Sequence, residues 1–214
     1  MIKPRQKALS RICVVALFSA LICILSPIAI PLGPIPVSLS INVVLLSAML
    51  LGPAGSSCAI LVYLLLGAIG LPVFSGGMAG LGVLFGPTGG YIWSYLPMSF
   101  LSSILYRKLF YPRLRKKCSL PTLLVWGVLS GLPGLILCYF LGTVQYMLVA
   151  SVSLWSALLI CVIPFIGFDL LKLCLVAFCG SRLLRTNWIR RMLGKCFGHT
   201  DHVDRRLIEG GIDV

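Results

Sequence analysis

Residues 50–70 read LLGPAGSSCAILVYLLLGAIG. Gly52-Pro53-Ala54-Gly55 is a turn signal, and the apolar run behind it stops at Gly70-Leu71-Pro72. The run holds no Asp, Glu, Lys or Arg, and neither does any other part of the 95 residues from 12 to 106. An uncharged tract of that length, punctuated by short Gly/Pro clusters, reads as several membrane helices joined by tight turns. The whole chain agrees, since 59% of its 214 residues are hydrophobic, 11% are charged and the mean hydropathy is +1.05. A soluble domain of that composition would aggregate, so the sequence is that of an integral membrane protein.

The 18 Lys and Arg residues give a net charge of +13, and they fall in three blocks, residues 1–11, 107–117 and 182–206, with Lys172 left over. Blocks of this kind flank membrane helices on the cytoplasmic side. No basic face interleaved with stacking aromatics is present, so nucleic acid is not an expected partner. If each block is inside, an even number of spans lies between consecutive blocks: four in residues 12–106 and two in 118–181. Six helices with both termini cytoplasmic follows. The N-terminal MIKPRQKALSRICVVALFSALICIL has the basic start and apolar run of a secretory signal. Cleavage would break this parity, so it is expected to remain as the first helix.

The turn signals predict helix 1 over 11–30 and an outside turn at 31–36, then helix 2 over 37–51 and an inside turn at 52–55. Helix 3 is predicted over 56–69 and helix 4 over 89–106, separated by a long outside segment. Tyr106, Phe110 and Tyr111 stand where an interfacial aromatic belt belongs. Helix 5 is predicted over 121–141, kinked at Pro133. Residues 148–162 read as a short helix at the outer face, and helix 6 as running from Asp169 to Leu184. A single tilted helix over 150–181, kinked at Pro164, keeps the same parity. Past helix 6, Trp188 to Lys195 reads as an interfacial amphipathic turn ahead of a polar tail.

The nine cysteines contain no CxxC and no disulfide framework, and behave as small buried hydrophobes. The one metal-like spacing, Cys196, His199 and His202, lacks a fourth ligand and reads as solvated tail, so no metal or cofactor is expected.

Two constellations stand out. Asp169 is the only acid before position 201, and Lys172 follows it at i+3, so both emerge on one helical face. A charge at mid-bilayer costs about 2.5–3.5 kcal/mol. The pair therefore either caps a helix start or faces a water-filled cavity that binds a polar solute. The second is the outside segment GLPVFSGGMAGLGVLFGPTGGY, residues 70–91, with eight glycines. It is no phosphate loop, because no Gly-Lys-Ser/Thr follows and Phe85 stands where GxGxxG needs its last glycine. Its GxxxG spacings fit close helix packing, and its apolar residues fit a lid over a small ligand. One membrane acid cannot make an aspartyl protease, both histidines are in the tail, and no Walker motif exists. No enzyme activity is expected.

The stretches PLGPIPVSL (31–39), LLGPAGSSCAILVYLLLGAIGLPVFSGG (50–77), GLGVLFGPTGGY (80–91) and FIGFDLLK (165–172) resemble the BioY family, the biotin-binding S components of energy-coupling-factor (ECF) transporters. The resemblance runs from about Ala16 to Leu184. It implies an all-α membrane protein with the six-helix ECF S-component-like fold and an outward-facing biotin site covered by the loop between helices 3 and 4. It also implies a place in the cytoplasmic (inner) membrane, among membrane lipids.

Biotin contacts are then expected from Asp169 and Lys172, from Asn42, from the lid residues Phe74, Ser75, Gly76, Gly77 and Gly82, and from Thr88 and Tyr91. Asp169 would accept from the ureido N–H groups, and Lys172 would pair with the valerate or support Asp169. Ala16 and Ala20 would form the docking face for a membrane coupling subunit, with ATPase subunits supplying the energy. The chain departs from the family's usual pattern at Ser40, where Gln is usual, and at Gly167-Phe168, where Pro-Gly is usual. The expected organisation is a basic N-terminus (1–10), a transmembrane biotin-binding domain (11–184) and a basic cytoplasmic tail (185–214).

Overall fold

The computed structural model describes residues 4–30, 37–116 and 118–197. Helix α1 spans Pro4–Leu25. A short antiparallel pair follows, β1 (Ala29–Ile30) with β2 (Val37–Ser38), in which Ala29 faces Ser38. Next come α2 (Ser40–Ala68), a 3-10 turn at Ser75–Gly77, α3 (Leu81–Leu84) and α4 (Gly89–Leu105). A π turn at Tyr106–Phe110 leads into α5 (Tyr111–Arg115). The rest is α6 (Leu120–Ala150), α7 (Leu154–Cys161), α8 (Ile166–Arg185) and α9 (Asn187–Phe197). Three helices are long and apolar enough to cross a membrane, within α1, α2 and α6, and the pair α7/α8, bent by 51°, makes a fourth candidate.

Helix α2 is two arms joined at Gly52, whose φ of 78° and ψ of 179° break the helix. A side chain is strained at that φ, which is why glycine stands there, and Pro53 then starts the second arm with its φ already helical. Ser56 closes the turn by donating its hydroxyl to the Gly52 carbonyl at 2.8 Å. In a straight helix Ser40 and Tyr63 would lie about 35 Å apart. Yet the Ser40 hydroxyl is 2.7 Å from that of Tyr95, and the Tyr63 ring centroid is 6.4 Å from that of Tyr95. The second arm therefore runs back along the first, as the expected helices 2 and 3 require.

Helix α6 is the central mast. In lipid, helices gain nothing by hiding apolar surface from one another, so they associate where small residues let them approach closely. Along α6 those residues are Gly127, Gly131, Gly134 and Gly142. A Cβ at Gly127 would lie 2.6 Å from Ala177 on α8, one at Gly134 would lie 2.0 Å from the Ser102 hydroxyl, and one at Gly142 would lie 2.4 Å from the Tyr91 ring.

Several boundaries differ from the expectation. Helix 1 starts at Pro4 and ends at Leu25, and residues 29–30 and 37–38 form strands instead of helix ends; the turn at 31–36 lies outside the described residues. Helix 4 continues through the π turn and α5 into the basic loop. Helix 5 passes the expected stop at Leu141 and reaches Ala150, where Ser151 turns left-handed at φ 53°. Just past Leu141, Gly142 is the seat of the Tyr91 ring. The short helix therefore covers 154–161 instead of 148–162. The last helix begins at Ile166, three residues before Asp169.

Tyr106, Phe110 and Tyr111 form no interfacial belt. They are buried, packed edge to face at 6.2 and 6.0 Å, and Tyr111 donates to the Met49 carbonyl at 2.9 Å. Their place beside the basic loop gave a membrane-depth pattern, but at the π turn all three rings lie inside the bundle. Helix α9 packs against the bundle: Leu193 and Cys196 are buried and Phe197 lies against Gly55 at the α2 bend, while Trp188 is exposed. His199, His202 and the polar tail lie outside the described residues.

Candidate functional site

Asp169 and Lys172 sit on the first turns of α8, 3% and 7% exposed, with Lys172 Nζ 2.9 Å from Asp169 Oδ1. Asp169 is not a helix cap, because its own N–H already donates to the Phe165 carbonyl at 2.9 Å. Its other oxygen, Oδ2, accepts the hydroxyl of Tyr139 from α6. Lys172 also donates to the carbonyl of Ser38 on β2, at 2.9 Å. A buried pair held by two further hydrogen bonds from neighbouring elements is the arrangement that offsets the desolvation of both charges.

Beside the pair lies a cavity of about 50 Å³, lined by Ser38, Ile41, Tyr91, Tyr95, Cys138, Tyr139, Cys161, Phe165, Asp169 and Lys172. Tyr91 and Tyr95 stand one turn apart on α4. The Tyr91 hydroxyl lies 3.4 Å from that of Thr143 and 3.4 Å from the Cys161 carbonyl. The Ser38 and Ser40 hydroxyls bond to each other, and Ser40 bonds to Tyr95.

Of the residues expected from sequence, Asp169, Lys172 and Tyr91 are brought together on this cavity. Asn42 lies one residue from the lining Ile41, and its buried Oδ1 has no hydrogen-bond partner, as is true of Ser75 Oγ in the lid. Phe74 is fully buried, edge-on to Tyr63 at 5.5 Å, and Tyr63 stacks on the cavity residue Tyr95. Phe74 thus anchors the lid to the cavity wall through two rings. Gly76 and Gly77, at φ 71° and 75°, and Gly82 have nothing within 4 Å of a Cβ position. Close packing through Gly76 and Gly82 is therefore not their role; they form an open, bendable turn. Thr88 starts α4, its carbonyl accepting from Tyr91 N at 3.2 Å, and it does not line the cavity. Ala16 and Ala20 are exposed on α1. Among the described residues no group of three His, Cys, Asp or Glu side chains could hold a metal.

Tyr139, Tyr95, Ser38 and Gln145 were not read from the sequence. Gln145, the one Gln beyond the N-terminal block, donates from Nε2 to the carbonyls of Leu84 and Gly86 at 2.9 and 2.8 Å and ties the far end of the lid to α6. Its isolation in an apolar tract was a usable signal. The i, i+4 pair Tyr91/Tyr95 was another. For Ser38 and Tyr139 only the folded contacts identify them.

The lid seat yields an expected outcome. A Cβ at Gly67 would fall 2.1 Å from the Phe74 ring. Gly67→Ala should expel Phe74 and cost about 1–3 kcal/mol, seen as a lower thermal midpoint in detergent and faster proteolysis of the lid. A protein indistinguishable from wild type in both would remove Phe74 as the anchor.

A profile of the BioY family matches residues 3–187. The biotin transporter BioY of Thermotoga maritima is 36% identical over 167 residues, covering 78% of this chain and 91% of that protein. The biotin transporter BioY2 of Lactococcus lactis subsp. cremoris is 37% identical over 171 residues, covering 80% and 88%. A crystal structure of the S-component for biotin from an ECF-type ABC transporter superposes with a TM-score of 0.75 at 27% identity, covering 87% of this chain and 96% of that one.

Proposed function

The chain belongs to the BioY family, and on that premise we propose that it takes up biotin as the solute-binding S component of an ECF-type transporter. It is a transport component and not an enzyme. The observation that carries the reading is the composition of the cavity wall: one carboxylate, one ammonium and a set of hydroxyls on otherwise apolar helices.

A carboxylate has about four acceptor positions. Tyr139 and Lys172 fill two of those on Asp169, which leaves two for the N–H groups of a ureido ring. Lys172 has spent two of its three protons, on Asp169 and on Ser38, so its first task is to hold the carboxylate in place, and one proton remains for the solute. Tyr91, Tyr139, Phe165 and Ile41 supply apolar faces for the bicycle.

A cavity of about 50 Å³ is far below the roughly 300–1,000 Å³ of a small-molecule site, so biotin seats only after the wall widens. The Ser75–Gly77 turn is the element suited to move, since the space beside its two left-handed glycines is open, while Phe74 ahead of it is buried and Gln145 holds residues 84 and 86 beyond it. The chain crosses the cytoplasmic membrane six times with both termini inside, the two arms of α2 counting as separate spans. The exposed Ala16/Ala20 face of α1 receives the coupling subunit, whose ATPase partners energise the cycle. This reading rests on the basic blocks and on the bend at Gly52.

Cells that cannot make biotin provide the test. Carrying this chain together with an ECF coupling module, they should accumulate labelled biotin, and Asp169→Asn should abolish the gain at low external biotin. Accumulation equal to that of empty cells would overturn the proposal.

A further inference from the structure

Gln145 sits in an otherwise apolar run of α6, half-buried, where an amide costs free energy unless its protons are used. Both are used. Nε2 donates to the Leu84 carbonyl at 2.9 Å and to the Gly86 carbonyl at 2.8 Å. Only the NH2 end of an amide can meet two carbonyls, so the partners themselves fix which way the side chain points. Gly89 and Gly90 leave it room: a Cβ at Gly90 would fall 2.7 Å from Gln145 Cβ, and one at Gly89 would fall 2.6 Å from the amide nitrogen.

Each of the two carbonyls also has a partner close in sequence. The Trp93 indole N–H donates to Leu84 at 3.2 Å, and the Gly89 N–H donates to Gly86 at 3.1 Å. Those bonds lie within residues 84–93 and hold the far half of the lid to the start of α4. The two from Gln145 cross to α6, the helix whose Tyr139 grips Asp169 and whose Gly142 and Thr143 receive the ring and hydroxyl of Tyr91. Tyr139, Tyr91 and Asp169 all line the cavity. The near half of the lid is tied elsewhere, by Phe74 against Gly67 of α2 and by the Gly80 N–H on the Gly67 carbonyl at 2.8 Å.

We propose that Gln145 is the latch that sets how long biotin stays bound. While it is closed, residues 84–86 move only as α6 moves. Once it is released, the far half of the lid swings on the left-handed glycines 76, 77 and 80, and the solute leaves. Gln145 does not line the cavity, so it is a positioning residue that acts through the lid. The inference deepens the biotin reading above and rests on it.

Gln145→Met keeps the length of the side chain and removes both donors. Trp93 and Gly89 still serve the two carbonyls, so the variant should fold. Labelled biotin bound to the purified protein is chased with excess unlabelled biotin. Release should be about tenfold or more faster from the variant, the scale of one or two lost hydrogen bonds, with association within about threefold of wild type. Hydrogen exchange of the biotin-bound variant should rise in the peptide covering residues 81–88 and hold in that covering 70–78. Gly127→Ala is the comparison for lost stability alone, since its Cβ would press on Ala177 at 2.6 Å, and it should lower the thermal midpoint without speeding release. Gln145→Asn, an amide too short for the two carbonyls, carries the test if the Met variant does not fold. Release that is unchanged, or that Gly127→Ala speeds equally, overturns the latch. Wild-type protein that holds no biotin instead overturns the biotin reading on which the latch rests.

Discussion

Replacing Asp169 by Asn is expected to weaken biotin binding tenfold or more while the protein still inserts and folds. The side chain keeps its shape and can still accept from Tyr139 through its amide oxygen, and Lys172 keeps the Ser38 carbonyl, so the variant should fold, at a stability cost from the buried ammonium that has lost its counter-ion. What disappears is the charge. A hydrogen bond to a charged group contributes about 1.5–3 kcal/mol, against about 0.5–1.5 for a neutral one, and the difference approaches one decade in affinity for each ureido N–H that uses it. Titration calorimetry on the detergent-purified variant reads the effect directly. Unchanged affinity would return Asp169 and Lys172 to a purely structural ion pair.

Lys172→Met should act chiefly on stability. Met fills a similar volume, but Asp169 then keeps one partner, Tyr139, at 3% exposure, and a buried charge stripped of its counter-ion costs about 3–5 kcal/mol. Stabilities of whole domains are about 5–15 kcal/mol, so the variant should unfold at far lower denaturant or temperature. Asp169→Asn/Lys172→Met removes both charges together and should recover most of the loss without recovering biotin binding. Denaturant titration of the three variants in one detergent checks the pattern. A single variant as stable as wild type would mean that Asp169 finds water or another donor in place of Lys172.

Much of this arrangement was legible in the sequence because lipid imposes strict rules. A 95-residue stretch without charge reads as a set of apolar helices, and Gly52-Pro53 marks the bend in α2, where the positive φ of 78° favours glycine. Asp169 and Lys172 announced themselves because charges in such a tract are costly and need a reason. The misread parts are those where one residue type serves two purposes. Helix 5 was expected to end at Leu141, yet α6 runs on to Ala150 and its Gly142 receives the Tyr91 ring. Tyr106, Phe110 and Tyr111 resembled an interfacial belt but turn inward at a π turn that no local pattern announces.

The site shows the same limit. Ser38 lies 134 residues from Lys172, and Tyr139 lies 30 residues from Asp169. Only the fold joins them. At Ser40, where Gln is usual in the family the sequence resembles, the hydroxyl bonds to those of Ser38 and Tyr95. At Gly167-Phe168 the departure falls inside the first turn of α8, which starts at Ile166 and still presents Asp169 and Lys172 to the cavity.

Direct titration of the purified protein with labelled biotin tests the central claim most closely. The expected result is saturable binding at micromolar biotin or below, displaced by unlabelled biotin and not by thiamine, riboflavin or lipoate at the same concentration. No saturable binding in that range, or equal displacement by the other vitamins, would contradict it.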